Sequence, residues 1–264
     1  MTFPVPINPV AIGLGAFVGL LVGLTGMGGA SLMTPLLILV AGVRPVVAVG
    51  TDIAYSVVSK LAGANVHVRQ GTVDWKVTRR LAMGSLPGSL LGVFVLSRFK
   101  AQLSEGDLDR VVIHAVGIML VVVSLVMLAR VILPRLLPGK LPAIGMDAPH
   151  ANLWLPVLGG VVGFLVGLTS VGSGSLIVPV LSLLTALPAA RIVGTDITHA
   201  VLLLAVSAIG QSTLGTIDYA MTLSLLLGSV PGVIVGSKLC LRFPELPLRL
   251  ALAVVLLISA SRLL

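Results

Sequence analysis

The 264-residue chain is 57% hydrophobic and only 10% charged, with a mean hydropathy of +1.15. A soluble domain carries about a quarter charged residues, so this composition excludes a water-facing fold and puts lipid around it. The net charge of +8 comes without basic runs or interleaved aromatics, which argues against a nucleic-acid partner; Lys and Arg gather instead at helix ends and loops, where they set orientation.

A spanning helix needs about 20 apolar residues, at roughly 1.5 Å each. In chain order, Val10–Leu24 is short and glycine-rich, and Ser31–Val43 is shorter still. Val46–Val68 and Leu81–Ser97 are close to full length, and Leu108–Leu133 is a long apolar run. A polar, proline-rich linker, 134–150, separates a first repeat, 1–133, from a second, 151–264. The second half then gives Leu153–Leu168, Ser175–Leu187, Arg191–Gln211, Tyr219–Leu239 and Leu246–Leu264, with breaks at Gly and Pro. Met1–Pro9 holds no Lys or Arg and so lacks a signal-peptide basic region, which assigns the first apolar run to the mature protein.

A shift of 144 residues aligns the halves without a gap. GLTGMGGASLMTP (23–35) lies over GLTSVGSGSLIVP (167–179), and VGTDI (49–53) over VGTDI (193–197). GTVD (71–74) lies over GTID (215–218), and GSLPGSLLG (84–92) over GSVPGVIVG (228–236). Duplicated broken segments of this kind mark secondary transporters; a duplicated scaffold without transport is the plainer reading.

Charge relates the two repeats. Loop 69–80 carries Arg69, Lys76, Arg79 and Arg80, whereas its counterpart 213–224 has no Lys or Arg and one acid, Asp218. The positive-inside rule puts the two on opposite faces, as an inverted repeat requires. Parity then needs the two short segments of each half to form a hairpin that enters and leaves on one side. The linker falls in the cytoplasm, while loop 98–110 and both termini fall outside.

Four glycines in seven residues (Gly23, Gly26, Gly28, Gly29) break the first short helix. In lipid, broken backbone persists only where protein buries it or water reaches it. The freed amides near Ala30 and Ser31 form a partial positive pole suited to an anion. Thr25, Gly26, Gly28, Gly29 and Ser31, with Thr169, Ser170, Gly172, Ser173 and Ser175 from the copy, are the candidate substrate contacts, two poles facing each other at the midplane. A tight crossing of small residues is the competing reading.

Thr51 and Thr195 join this set. Asp52 and Asp196, about five residues into apolar helices, are candidates for carrying a coupling ion, or else helix-start carboxylates near the interface. Lys60 lies deep in its helix and has Leu204 as its repeat counterpart, so the scaffold does not demand it. It is either a charge partner for an anion or a snorkelling side chain. His199 stands where the first half has Tyr55, and is a candidate for substrate contact or for hydrogen-bonded packing.

Cys240 is the single cysteine, so no internal disulfide or cysteine-based zinc site is expected. No HExxH, GxSxG or Walker A run occurs. Neither catalysis, a cofactor nor a metal is therefore expected, and ATP-driven transport would need a separate partner.

The blocks GLTGMGGASLMTP, AVGTDIAYS, GTVDW and GSLPGSLLG, with their copies, make the chain resemble the sulfite exporter TauE/SafE family of membrane permeases over nearly its whole length. The resemblance implies a multi-pass protein of the bacterial inner membrane that moves sulfite, sulfonates or related small sulfur-containing anions. Ser170 and Ser173 replace glycines of the first copy, which predicts an asymmetric pocket. The expectation is an all-α secondary transporter working as an exporter, with a passive anion channel or a non-transporting scaffold as alternatives. Self-association into a homo-oligomer stays open.

Overall fold

The computed structural model describes residues 8–25, 30–136, 151–239 and 245–264. Among these the chain is all helical: α1 (Pro9–Thr25), α2 (Ala30–Leu39), α3 (Pro45–Arg69), α4 (Trp75–Gln102), α5 (Glu105–Leu136), α6 (Ala151–Thr169), α7 (Ile177–Leu184), α8 (Ala189–Thr213), α9 (Tyr219–Leu239) and α10 (Glu245–Leu263). Four of them, in α3, α4, α5 and α8, are long and apolar enough to cross a membrane. Apolar side chains also face outward, as lipid requires: Met83 is 71% and Leu153 73% exposed.

The short segments are short as expected, with 10 residues in α2 and 8 in α7. Helix α4 starts six residues before the apolar run, at Trp75 rather than Leu81. The reason is local: the Asp74 carboxylate accepts from the backbone N–H of Lys76 at 3.0 Å and of Val77 at 3.2 Å, a side-chain cap that lets the basic turn be helical. Most of the 134–150 linker lies outside the described residues.

The repeats are interlocked rather than side by side. Helix α1 packs on α9 of the other half, and its counterpart α6 packs on α4. Helices α3 and α8 pack on each other, as do α5 and α10. Small residues four apart allow the first two crossings. A Cβ on Gly15 would stand 2.2 Å from the Leu225 carbonyl oxygen, and one on the equivalent Gly159 would stand 2.2 Å from that of Leu81. Gly84 and its equivalent Gly228 are tighter, at 1.8 Å from the Pro156 oxygen and 1.9 Å from the Ile12 oxygen.

Helices α3 and α8 run antiparallel. Gly50, near the start of α3, abuts Thr216 just after α8, and Gly194, near the start of α8, abuts Thr72 just after α3. The loops on either side of α3 therefore sit at opposite ends of this pair. At the end where α3 begins, Arg44 bonds Glu105 at 2.8 Å and Asp109 at 2.9 Å, and the Lys100 ammonium donates to the Leu214 carbonyl. The hydrogen bond to Asp109 holds the Arg44 guanidinium above its ordinary pKa. These contacts gather loops 40–44, 103–104 and 214–218 at one end.

Candidate functional site

Helix α3 carries a polar stripe. Asp52, Ser56 and Lys60 recur at four-residue spacing, so they share one face, and they are 0%, 1% and 6% exposed. Asp52 accepts three hydrogen bonds: from Thr34 Oγ1 at 2.6 Å, Ser170 Oγ at 2.8 Å and Ser56 Oγ at 3.1 Å. One donor comes from its own helix, one from α2 and one from the second repeat.

The break between α6 and α7 supplies the opposing wall. Ser170 has φ 64°, Gly172 122° and Gly174 144°. The last two suit glycine alone. Ser170 holds a left-handed conformation disfavoured for a residue with a Cβ, at the position where the first repeat has Gly26. The strain is offset by its hydroxyl reaching Asp52. Two residues on from Val171, Ser173 accepts from the Lys60 ammonium through both its carbonyl oxygen and, at 2.9 Å, its Oγ. Thr169 stabilises the break itself: its hydroxyl donates to the Leu165 carbonyl at 2.7 Å and accepts from the Val171 N–H at 3.3 Å. Helix α7 then starts without a side-chain cap at Leu176. Just before it, the buried Ser175 Oγ has no hydrogen-bond partner among the described residues, and neither does its counterpart Ser31 Oγ.

In sequence, the equivalent positions of the other half are apolar or glycine with one exception. The counterparts of Thr34, Ser56, Lys60, Ser170 and Ser173 are Val178, Ala200, Leu204, Gly26 and Gly29. Asp196 alone survives, 2% exposed, and its Oδ1 has no hydrogen-bond partner among the described residues. Lys60 lies within electrostatic reach of both Asp52 and Asp196, and of His199. His199 itself, fully buried, meets Ser85 Oγ through Nε2 at 2.7 Å and leaves Nδ1 unpartnered among the described residues. The equivalent pair in the other half is Tyr55 with Ser229.

Thr51 and Thr195 stand apart from this cluster. Thr51 Oγ1 accepts from the Asp218 N–H at 3.0 Å, and Thr195 Oγ1 from the Asp74 N–H at 2.9 Å. Each VGTD block is thus tied to the GT[VI]D turn of the other repeat. Thr51→Val or Thr195→Val leaves a partly buried N–H without its acceptor, expected to lower stability by about 1 kcal/mol each. The two ties lie at opposite ends of the α3–α8 pair, so the losses should add; chemical unfolding of the single and double variants checks this.

Among the sequence-derived candidates, then, Asp52, Lys60, Ser170 and Ser173 come together, with Asp196 and His199 nearby on α8. Gly26, Gly28 and Gly29, and the Thr25 side chain, lie outside the described residues. Sequence reading passed over Thr34, Ser56 and Ser85. Comparing the repeats for lost hydroxyls would have singled out Thr34 against Val178 and Ser56 against Ala200; Ser85 against Ser229 gives no such signal.

A family model described as sulfite exporter TauE/SafE matches residues 11–263. The chain is 43% identical to the probable membrane transporter protein YjnA of Bacillus subtilis (strain 168), over 95% of this chain and 97% of that protein. It is 29% identical to a probable membrane transporter protein of Xylella fastidiosa (strain 9a5c), over 89% and 85% of the two chains. It is 27% identical to the probable membrane transporter protein YunE of B. subtilis (strain 168), over 87% and 86%. No solved structure matches.

Proposed function

This chain belongs to the sulfite exporter TauE/SafE family, and within that family of membrane transporters we propose that it is a secondary transporter of small sulfur-containing anions such as sulfite or organosulfonates, working as an exporter from the bacterial inner membrane. The observation that carries this reading is the buried Lys60 ammonium, held against Ser173 at a break in the helix of the opposite repeat. Ionisable groups inside a membrane are costly and cluster on transport pathways. A repeat scaffold that is equally served by Leu204 at the matching position has no packing need for this lysine.

The anion docks beside Lys60, with the hydroxyls of Ser31 and Ser175, unpartnered among the described residues, and the α7 N-terminus as further donors. Charge balance makes the transport proton-linked. One ammonium faces two carboxyls, Asp52 and Asp196. With both ionised, the cluster is already negative and repels an anion; a proton arriving on a carboxyl removes that opposition. The near-complete burial of the cluster fits a site closed to both sides at once, and the two repeats rock about the α3–α8 seam to open it alternately. Their antiparallel arrangement, set across the bilayer, gives each face an equivalent half of the machinery.

Flux tests the proposal. The full chain in liposomes loaded with sulfite, thiosulfate, sulfoacetate or taurine should release at least one of them saturably, and faster under an imposed proton gradient. Flux that rises linearly and ignores the gradient would instead describe a passive channel, and flux equal to that of protein-free vesicles would remove the transporter reading.

A further inference from the structure

The two aspartates of the repeat stand in opposite surroundings, and we propose that they divide the work: Asp196 takes up and releases the coupled proton, while Asp52 stays a fixed latch. Asp52 accepts from Thr34, Ser56 and Ser170. Three hydroxyl donors satisfy a carboxylate, and they tie α2, α3 and the α6–α7 break into one unit. A proton added there would weaken all three hydrogen bonds, the one that holds Ser170 in its left-handed turn included. Asp52 is therefore built to remain ionised and to hold the wall that carries Ser173.

Among the described residues, no donor reaches the buried Asp196 Oδ1. At the equivalent sequence positions every hydroxyl around Asp52 is replaced by a residue without a side-chain donor: Val178 for Thr34, Ala200 for Ser56, Gly26 for Ser170. A buried carboxyl with an unpaired oxygen is costly when ionised and less so when protonated. Five of the six polar positions of the other half-site have become apolar or glycine here, yet the carboxyl remains. A position needed only for packing would accept an apolar residue as its five companions do.

The groups able to act on Asp196 are few. Helix α3 presents Lys60, with Asp52 beyond it, and near its end His67, whose ring meets α8 at Gly194; α8 itself carries Arg191 in its first turn and His199. Helices α6 and α7, which also pack on α8, contain no titratable residue. Helix α4 carries its charges only toward its ends, as Lys76, Arg79 and Arg80 and as Arg98 and Lys100. The charge state of Asp196 therefore bears mainly on Lys60. When the proton binds an Asp196 carboxylate oxygen, Lys60 and Asp52 are left balanced and the anion meets no surplus negative charge; when the proton leaves, the surplus returns and drives the anion off. This rests on the transporter reading for what the proton drives, but not for which residue binds it.

The test needs no transported solute. Infrared difference spectra of the full chain in lipid, titrated between pH about 5 and 9, should show a protonated-carboxyl band that comes and goes with pH. The band should be lost in Asp196→Asn and kept in Asp52→Asn. A second variant keeps every titratable group: Val178→Thr with Ala200→Ser rebuilds two of the Asp52 donors around Asp196. Because such donors favour the carboxylate, this variant should lose most of the band at neutral pH. A band that survives Asp196→Asn, disappears with Asp52→Asn, ignores the rebuilt donors, or is missing from the wild type overturns the division of labour. A band that behaves as expected in a protein that moves no sulfur anion in liposomes supports the proton site and sinks the transporter reading alone.

Discussion

Gly84→Val should leave little or no folded protein. A Cβ at this position would lie 1.8 Å from the Pro156 carbonyl oxygen, 2.7 Å from its carbon and 2.8 Å from the Gly160 nitrogen. All three are backbone atoms, so no side-chain rotation relieves the clash and α4 and α6 must move apart. In lipid, helix pairing depends on such close packing because no hydrophobic drive separates helix from lipid. The loss is expected to exceed about 3 kcal/mol, the upper part of the range for overpacked positions. Gly228→Val should behave the same way at the α1–α9 crossing, where the Ile12 oxygen lies 1.9 Å from the added Cβ. Gly13→Ala is the control: it sits in α1 with nothing within 4 Å, and should be neutral or stabilising by up to about 1 kcal/mol. Size-exclusion recovery and thermal unfolding in detergent read all three, and a Gly84→Val protein as stable as Gly13→Ala would mean that α4 and α6 do not cross as described.

Those crossings also show where the sequence was readable and where it stopped. The break at 170–176 and the short helices α2 and α7 could be read from glycine spacing, because in a membrane an interrupted helix is costly and so leaves a pattern. The 144-residue offset placed Asp52, Asp196 and Lys60 for the same reason, since a charge inside an apolar run stands out. The exchange of α1 and α6 between halves could not be read. Gly15, Gly19, Gly159 and Gly163 announce that some backbone comes close, but a small residue does not name its neighbour. Hydroxyls were equally silent. Thr51 and Thr195 sit next to the aspartates in the motif, yet successive helical residues point in different directions, and both threonines reach the turns of the opposite repeat. Thr34 and Ser56 look like ordinary small polar residues until the structure brings them onto Asp52. In the second repeat's break, Ser170 and Ser173 put hydroxyls where the first repeat has glycine, and these reach Asp52 and Lys60.

Replacing Lys60 should remove the anion site while sparing the scaffold. Methionine is of similar length and apolar, and the matching position in α8 is already Leu204, so the helix tolerates such a residue. Removing one member of a buried, hydrogen-bonded charge set costs binding about 2–5 kcal/mol, a loss of roughly 30-fold or more in affinity. Asp52 keeps its three hydroxyl donors in the variant, so the break at Ser170 stays latched. Proton handling at Asp196 should persist without a bound anion to serve it.

Ligand-dependent thermal stability of wild type and Lys60→Met, compared across sulfite, sulfate, thiosulfate, sulfoacetate and taurine, tests this directly, because a ligand that binds only the folded state raises its stability by mass action. At least one of these anions should raise the melting temperature of the wild type by several degrees and leave Lys60→Met unmoved. An anion that stabilises both proteins equally would place the binding site away from Lys60 and contradict the account.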